Sequence, residues 1–462
     1  MTSDRWDRRE FSMALAAALL PIRAIRAGAL DEAPAATRTV EVEALRLFAE
    51  HTHPRGLEAA ANTDWQNRWS TLKRDAATLD DGAYFIRTRR ALSWFKDGHT
   101  TVLPFEYAGG VPAALVTGPF RLSLPYGAKI FSDGVWLVAT AAAAKQMLGG
   151  RLRKVGDLSA IELMRAHATD WPGNDAWAQN WAAALFASPA LLHGLGALRN
   201  SANYIDVEAM GSGGTNLQAT FMASAKGKSE LAALSRTSSA RGVWAAAAGS
   251  GNYARHLPRH RTLYISLDEM DDVKGKTFDA LTTAIYEALA TPGLQRVIVD
   301  IRRNGGGDNV LAEPLRKRLE RSQFNRPGAL YVLIGSATFS AAQNFATRME
   351  RETFAVFAGE PTGGAPNQFG DPTVSVGPAT GITAIVSSLQ WFDSYPQDVR
   401  PWIMPDLLVP TTFANWRSGQ DPVLDVALAH KASAGEVAAA MARRSAYDRD
   451  SQLRVWKSFW RE

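Results

Sequence analysis

The chain has 462 residues, 46% apolar and 21% charged, with a formal net charge of +5. That is the balance of a globular protein long enough for two or three domains, and its scattered arginines and lysines, without a dense basic run, argue against a nucleic-acid partner. Cysteine is absent, which excludes disulfides, a thiol nucleophile and a thiolate metal site.

Residues 1–29 read as an export signal: Arg8-Arg9-Glu10-Phe11, an apolar stretch from Met13 to Leu20, and the small-residue cleavage pattern Ala27-Gly28-Ala29. The apolar stretch is too short to cross a bilayer, which takes about 20 residues. The later candidates, Val135 to Leu148 and Ala182 to Gly196, are broken by Lys145 and Pro189, so no membrane span is expected. Apolar residues at helical spacing predict a helical region over 37–96. The turn Lys96-Asp97-Gly98 ends it, and His99-Thr100-Thr101-Val102 begins an extended segment.

Over 105–175, Leu122 to Leu124, Lys129 to Phe131 and Val135 to Ala139 are strand-like, with Ser132-Asp133-Gly134 a hairpin turn, and Leu158 to Ala168 is a helix. Residues 176–200 look helical, 203–223 a strand pair, and 226–255 a Ser/Ala/Gly-rich loop. Strands over Thr262 to Leu267, Arg296 to Ile301 and Ala329 to Gly335 then alternate with helices over Thr277 to Ala290 and Val310 to Arg321, and a further helix opens at Ser340. That is the pattern of a βαβ core. Two of its strands end in chemically suggestive turns. One breaks into Asn304-Gly305-Gly306-Gly307; the other breaks into small residues before Ser340. A serine at a helix N-terminus sits in a positive field beside N–H groups with no intrahelical acceptor, the arrangement that acyl transfer needs.

These turns resemble two segments of the tail-specific (C-terminal processing) protease family: Asp300-Ile301-Arg302-Arg303-Asn304-Gly305-Gly306-Gly307 and Thr338-Phe339-Ser340-Ala341-Ala342-Gln343. Gly359-Glu360-Pro361-Thr362-Gly363-Gly364 and Pro405-Asp406-Leu407-Leu408-Val409 match two more, in order. The resemblance is good over roughly 260–415 and loose elsewhere. It implies a mixed α+β chain organised as a signal (1–29, similar to a twin-arginine signal), a helical region carrying His99 (37–104), a PDZ-like module (105–175), a connector (176–255), a crotonase-like βαβ catalytic core (256–415) and a C-terminal helical tail (416–462). It implies a serine endopeptidase that needs neither metal nor cofactor and acts on peptide or protein substrates; the export signal places it in the periplasm as an expectation.

In the family's common form the base is a lysine some two dozen residues after the nucleophile, but no lysine lies between Ser340 and Lys431. The tricorn-like branch instead uses a histidine placed before the PDZ-like module, in an Asp-x-His-Ser/Thr motif; Asp97-Gly98-His99-Thr100 matches it. The resemblance thus implies Ser340 as nucleophile, His99 as general base, Asp398 as the orienting acid, and the N–H groups of Ala341 and Gly306 as oxyanion donors. Gly305 and Gly307 neighbour the second donor, and Asp97, Glu360 and Asp393 are reserve acids. Asp300 and Arg302 are expected to be structural.

Rival motifs are incomplete. Gly-x-Ser-x-Gly, His-Glu-x-x-His and a P-loop are absent. Ser70-Thr71-Leu72-Lys73 lacks the Ser-Asp-Asn and Lys-Thr-Gly elements that would make it a β-lactamase signature. His51-x-His53 reads as surface rather than a metal pair. The alternative function is a non-catalytic apolar-ligand or peptide-binding protein on the same fold, with Trp391, Phe392 and Trp402 lining a groove.

Overall fold

The computed structural model describes residues 37–103, 107–108, 111–112, 120, 122–199, 203–225, 231–234, 251–273, 275 and 277–438. The expected export signal, most of the Ser/Ala/Gly-rich loop and the end of the helical tail lie outside the described residues. The chain divides into two compact units, each assembled from separated stretches: 1–239 with 369–390 and 412–418, and 240–368 with 391–411 and 419–462. Helix and sheet are mixed in both. No helix among the described residues is long and apolar enough to cross a membrane.

In the first unit the helical spacing over 37–96 becomes the helices Arg38–Thr52, Gly56–Ala60, Thr63–Asp75 and Asp81–Leu92. Thr37, Asn62 and Asp80 cap three of them by accepting first-turn N–H groups. Their apolar faces carry Leu45, Trp65, Trp69 and Phe85 into one core. The expected hairpin is present as Tyr126–Phe131 and Gly134–Ala141. Its sheet runs in the order Leu231–Ala233, Gly134–Ala141, Arg151–Val155, Tyr204–Met210, Asn216–Met222. The strand pair expected inside a connector therefore belongs to the same sheet as the hairpin. A second sheet pairs Thr101–Leu103 antiparallel with Thr383–Phe392, in the register Thr101↔Ile385, and adds Asn367–Val376.

The second unit is built on a six-stranded sheet in the order Tyr253–Leu257, Thr262–Ser266, Arg296–Asp300, Leu330–Ile334, Val356–Gly359, Leu407–Leu408. The first pair is antiparallel and the rest are parallel. Continuous apolar runs such as Leu330–Ile334, buried throughout, suit strands covered on both faces. The helices Phe278–Ala288, Glu313–Glu320 and Ser340–Glu352 supply the crossovers. The strands Arg296–Asp300 and Leu330–Ile334 are hydrogen-bonded neighbours with Asp300 opposite Leu333. The glycine turn and the loop to Ser340 therefore leave adjacent strands at the same, carboxyl, end of the sheet, where open parallel sheets hold their ligands.

Candidate active site

Ser340 is the first residue of the helix Ser340–Glu352 and has φ of 50°. For a residue with a Cβ this left-handed conformation costs about 1–2 kcal/mol, so the surroundings must enforce it. They do so from three sides. Thr338, fully buried, donates through Oγ1 to the Ile301 carbonyl (2.9 Å) and accepts the Gly335 N–H (3.1 Å), while its carbonyl accepts the N–H groups of Gly363 and Gly364. Phe339 is extended and donates its N–H to the Asn304 carbonyl (3.1 Å). Gln368 donates its amide to the Ser340 carbonyl (2.8 Å) and to Asn344 Oδ1. A sharp strand–turn–helix passage with a serine at its strained corner is the shape of a nucleophile elbow. Ala341 follows inside the first helical turn, where helix geometry offers its N–H no acceptor.

The glycine turn lies beside this corner. Asn304, fully buried, donates Nδ2 to the Leu267 carbonyl (3.0 Å) and accepts the Gly306 N–H on Oδ1 (2.9 Å). The Gly306 N–H, expected as an oxyanion donor, is thus engaged within its own turn. Gly307 has φ of 135°, and a Cβ there would stand 2.3 Å from the Met270 carbonyl oxygen; only glycine fits. Asp300 and Arg302 behave as anchors: Arg302 binds Asp300 and Asp421 (2.6 and 2.8 Å), and Tyr264 donates its hydroxyl to Asp300 (2.6 Å). Burial alone would raise the Asp300 pKa, but the Arg302 charge and its hydrogen bonds hold it below the usual range.

The other matched segments in this unit are also bracing. Thr362 accepts the Ile403 N–H (2.9 Å), and Asp406 accepts the Phe357 N–H (2.9 Å). Asp398 is bound by Arg400 (2.8 Å) and by the Ser394 hydroxyl (2.6 Å), and Arg400 continues to Glu350 on the Ser340 helix. Burial would raise the Asp398 pKa; the Arg400 and Ser394 hydrogen bonds outweigh it. Asp393 pairs with Arg348 (2.7 Å), and burial raises its pKa, as it does that of Glu360.

In the first unit His99 is buried in the turn before Thr101–Leu103. Its backbone N–H donates to Asp97 Oδ1 (2.9 Å), and its Nδ1 stands 3.8 Å from the same oxygen. Asp97 Oδ2 accepts the hydroxyls of Thr100 (2.5 Å) and Ser387 (2.6 Å) and faces His53 Nε2 at 3.5 Å. Burial alone would push the Asp97 pKa up; contacts with His53 and His99 override it and hold the carboxyl far below the usual range. His53, expected at the surface, is instead buried and stacked on Phe95 with centroids 3.8 Å apart. His53 is drawn inward because it terminates the helix Arg38–Thr52 as its cap, and the apolar face of that helix turns toward the core. Among the described residues, no group of three or more histidines and carboxylates could hold a metal ion. Ser387, Gln368 and His53 were not singled out by the sequence as site residues. Only the register of Thr101 with Ile385 brings Ser387 to Asp97.

No family model matches the chain, and no curated protein matches it. Among solved structures, mature CPAF is 14% identical over 84% of this chain and 96% of that chain, with a TM-score of 0.54. Mature CPAF complexed with lactacystin is 13% identical over 84% and 97%, with a TM-score of 0.53. The tricorn protease aligns with 84% of this chain and 36% of its own, at 12% identity and a TM-score of 0.38, too low to bear on the fold. The chain therefore shares the mixed helix-and-sheet fold of mature CPAF.

Proposed function

We propose that this chain is a serine endopeptidase of the tail-specific family, tricorn-like branch, with a crotonase-like catalytic core, a PDZ-like module and a signal that sends it to the periplasm. The observation that carries the reading is the strained conformation of Ser340 at a strand–turn–helix corner; an ordinary capping serine needs no positive φ. Ser340 attacks the scissile carbonyl. His99 takes the hydroxyl proton and returns it to the leaving amine, oriented by a carboxylate. Asp97, already against His99, is the acid in direct contact, and Asp398 is the one the family pattern nominates. The Ala341 N–H meets the oxyanion. The second donor is the N–H of Gly305 or Gly307, or of Gly306 once its bond to Asn304 opens. Water then cleaves the acyl-enzyme.

The test is labelling with a fluorophosphonate and mapping of the modified peptide. Ser340 should carry the label, and Ser340→Ala should lose both label and peptide hydrolysis while staying folded. A labelled protein with the adduct elsewhere, or a Ser340→Ala variant that cleaves casein at the parent rate, refutes the assignment. The absence of any adduct favours the binding-protein alternative. Export is tested by N-terminal sequencing of protein recovered from cells, expected to begin near Leu30; an intact Met1 end in the cytoplasm overturns it.

A further inference from the structure

The residue least expected near the imidazole is His53, and its hydrogen bonding is specific. The Arg55 N–H donates to His53 Nδ1 (3.0 Å), so Nδ1 carries no proton. The neutral ring then bears its proton on Nε2, and that nitrogen faces Asp97 Oδ2 at 3.5 Å. Phe95, stacked at 25°, and Phe369, with its centroid 4.5 Å away, hold the ring plane. The side chain is 0% exposed, so water does not compete for the contact.

We infer that His53 is a positioning residue: a second imidazole on the same carboxylate, which fixes the rotation of Asp97 and thereby the tautomer of His99. The inference rests on the reading of His99 as general base. Asp97 has two oxygens with separate duties. Oδ2 takes the hydroxyl protons of Thr100 and Ser387 and faces the His53 N–H; Oδ1 takes the His99 backbone N–H and faces His99 Nδ1. With two hydroxyls donating to Oδ2 and the His53 N–H facing it at 3.5 Å, the carboxylate stays turned so that Oδ1 is offered to His99. A proton on His99 Nδ1 is then favoured, which leaves Nε2 as the basic nitrogen. The charged or titratable groups around His53 are few. Asp97 faces its Nε2 and in turn meets His99, and Glu58, whose own carboxylate is lowered first by Arg55, is near enough to feel the ring. Arg55 is paired with Glu58 (2.6 Å), so near His53 its side-chain charge is largely offset.

Two variants separate positioning from filling. His53→Phe keeps the stack on Phe95 and removes both nitrogens. His53→Gln can place an amide N–H where Nε2 stands. The expected result is that His53→Phe slows fluorophosphonate labelling of Ser340 by about 10–100-fold, the scale on which supporting hydrogen bonds act. The acid limb of its rate–pH profile should move to lower pH, because a less well oriented Asp97 supports the imidazolium less. His53→Gln should recover most of the rate and the parent profile. A His53→Phe protein with the parent rate and profile would show that the ring only fills space. A readout independent of activity is nitrogen-15 NMR of histidine-labelled protein. The parent should show His53 protonated on Nε2 and His99 on Nδ1, with the His99 signature altered in His53→Phe. A parent His53 protonated on Nδ1 overturns the inference, whether or not the variants fold. If the parent takes no label at Ser340, the peptidase reading fails, and the NMR signatures alone then decide whether His53 sets the His99 tautomer.

Discussion

Ser340 carries its strain because it has a Cβ, and this can be measured apart from chemistry. Ser340→Gly and Ser340→Ala both remove the hydroxyl, but only glycine takes a φ of 50° without cost. The glycine variant should be more stable than the alanine variant by about 1 kcal/mol in chemical denaturation. If alanine is the more stable, the corner is relaxed in solution. Under the proposed function both should be inactive, since neither supplies the hydroxyl that the mechanism assigns to Ser340. A second expectation concerns pH. With an imidazole as base, kcat/KM should fall on the acid side as the ring takes up a proton and can no longer accept one, and amine-acylating reagents should change little. His99→Gln should remove the acid limb together with most of the rate. An acid limb that survives in His99→Gln at near-parent activity removes His99 from the mechanism.

At the level of elements, the parallel strands work because their ends are tied down by charge. Arg302 joins the end of Arg296–Asp300 to Asp421, which caps the helix Pro422–Ala429. Removing the guanidinium leaves two carboxylates, Asp300 and Asp421, buried without their cation, so Arg302→Met should cost about 3–5 kcal/mol. Arg302→Met with an unchanged urea midpoint would show that the pair contributes nothing. This part of the molecule was well written in the sequence. Apolar runs with glycine breaks give the strands Arg296–Asp300 and Leu330–Ile334 to within a residue or two, and Ser340 stands out because its turn lies next to the glycine turn. His99 was nominated through the match of Asp97-Gly98-His99-Thr100 to the tricorn-like motif. His53 and Ser387 were not, because their value comes from a sheet register and a helix end that bring distant residues to one carboxylate. Neither spacing nor periodicity along the chain encodes such a meeting. The engagement of the Gly306 N–H by Asn304 is likewise a matter of turn geometry, invisible in a run of glycines.

On the scale of the whole chain, the first unit depends on residues that come late. Glu41, buried on the first helix, accepts the N–H groups of Ala379 and Thr380 (2.8 Å each), the Thr380 hydroxyl and the Tyr84 hydroxyl. Glu41→Ala should therefore lower stability by several kcal/mol, since it orphans buried donors as well as losing their bonds, and a thermal scan showing no change would count against the pinning. The strand Thr383–Phe392 that completes the small sheet has the same character, and it has a consequence for synthesis. Thr383 pairs with Leu103, 383 − 103 = 280 positions earlier. At about 5–20 residues per second a ribosome needs roughly 15–60 s to cover that stretch. For that interval the nascent chain has its His99 turn but lacks Ser387, one of the two hydroxyls that hold Asp97. Ser340 itself emerges before Ser387, so under the proposed peptidase function the order of translation would bring the nucleophile out while the Asp97 carboxylate still lacks one of its two hydroxyl donors.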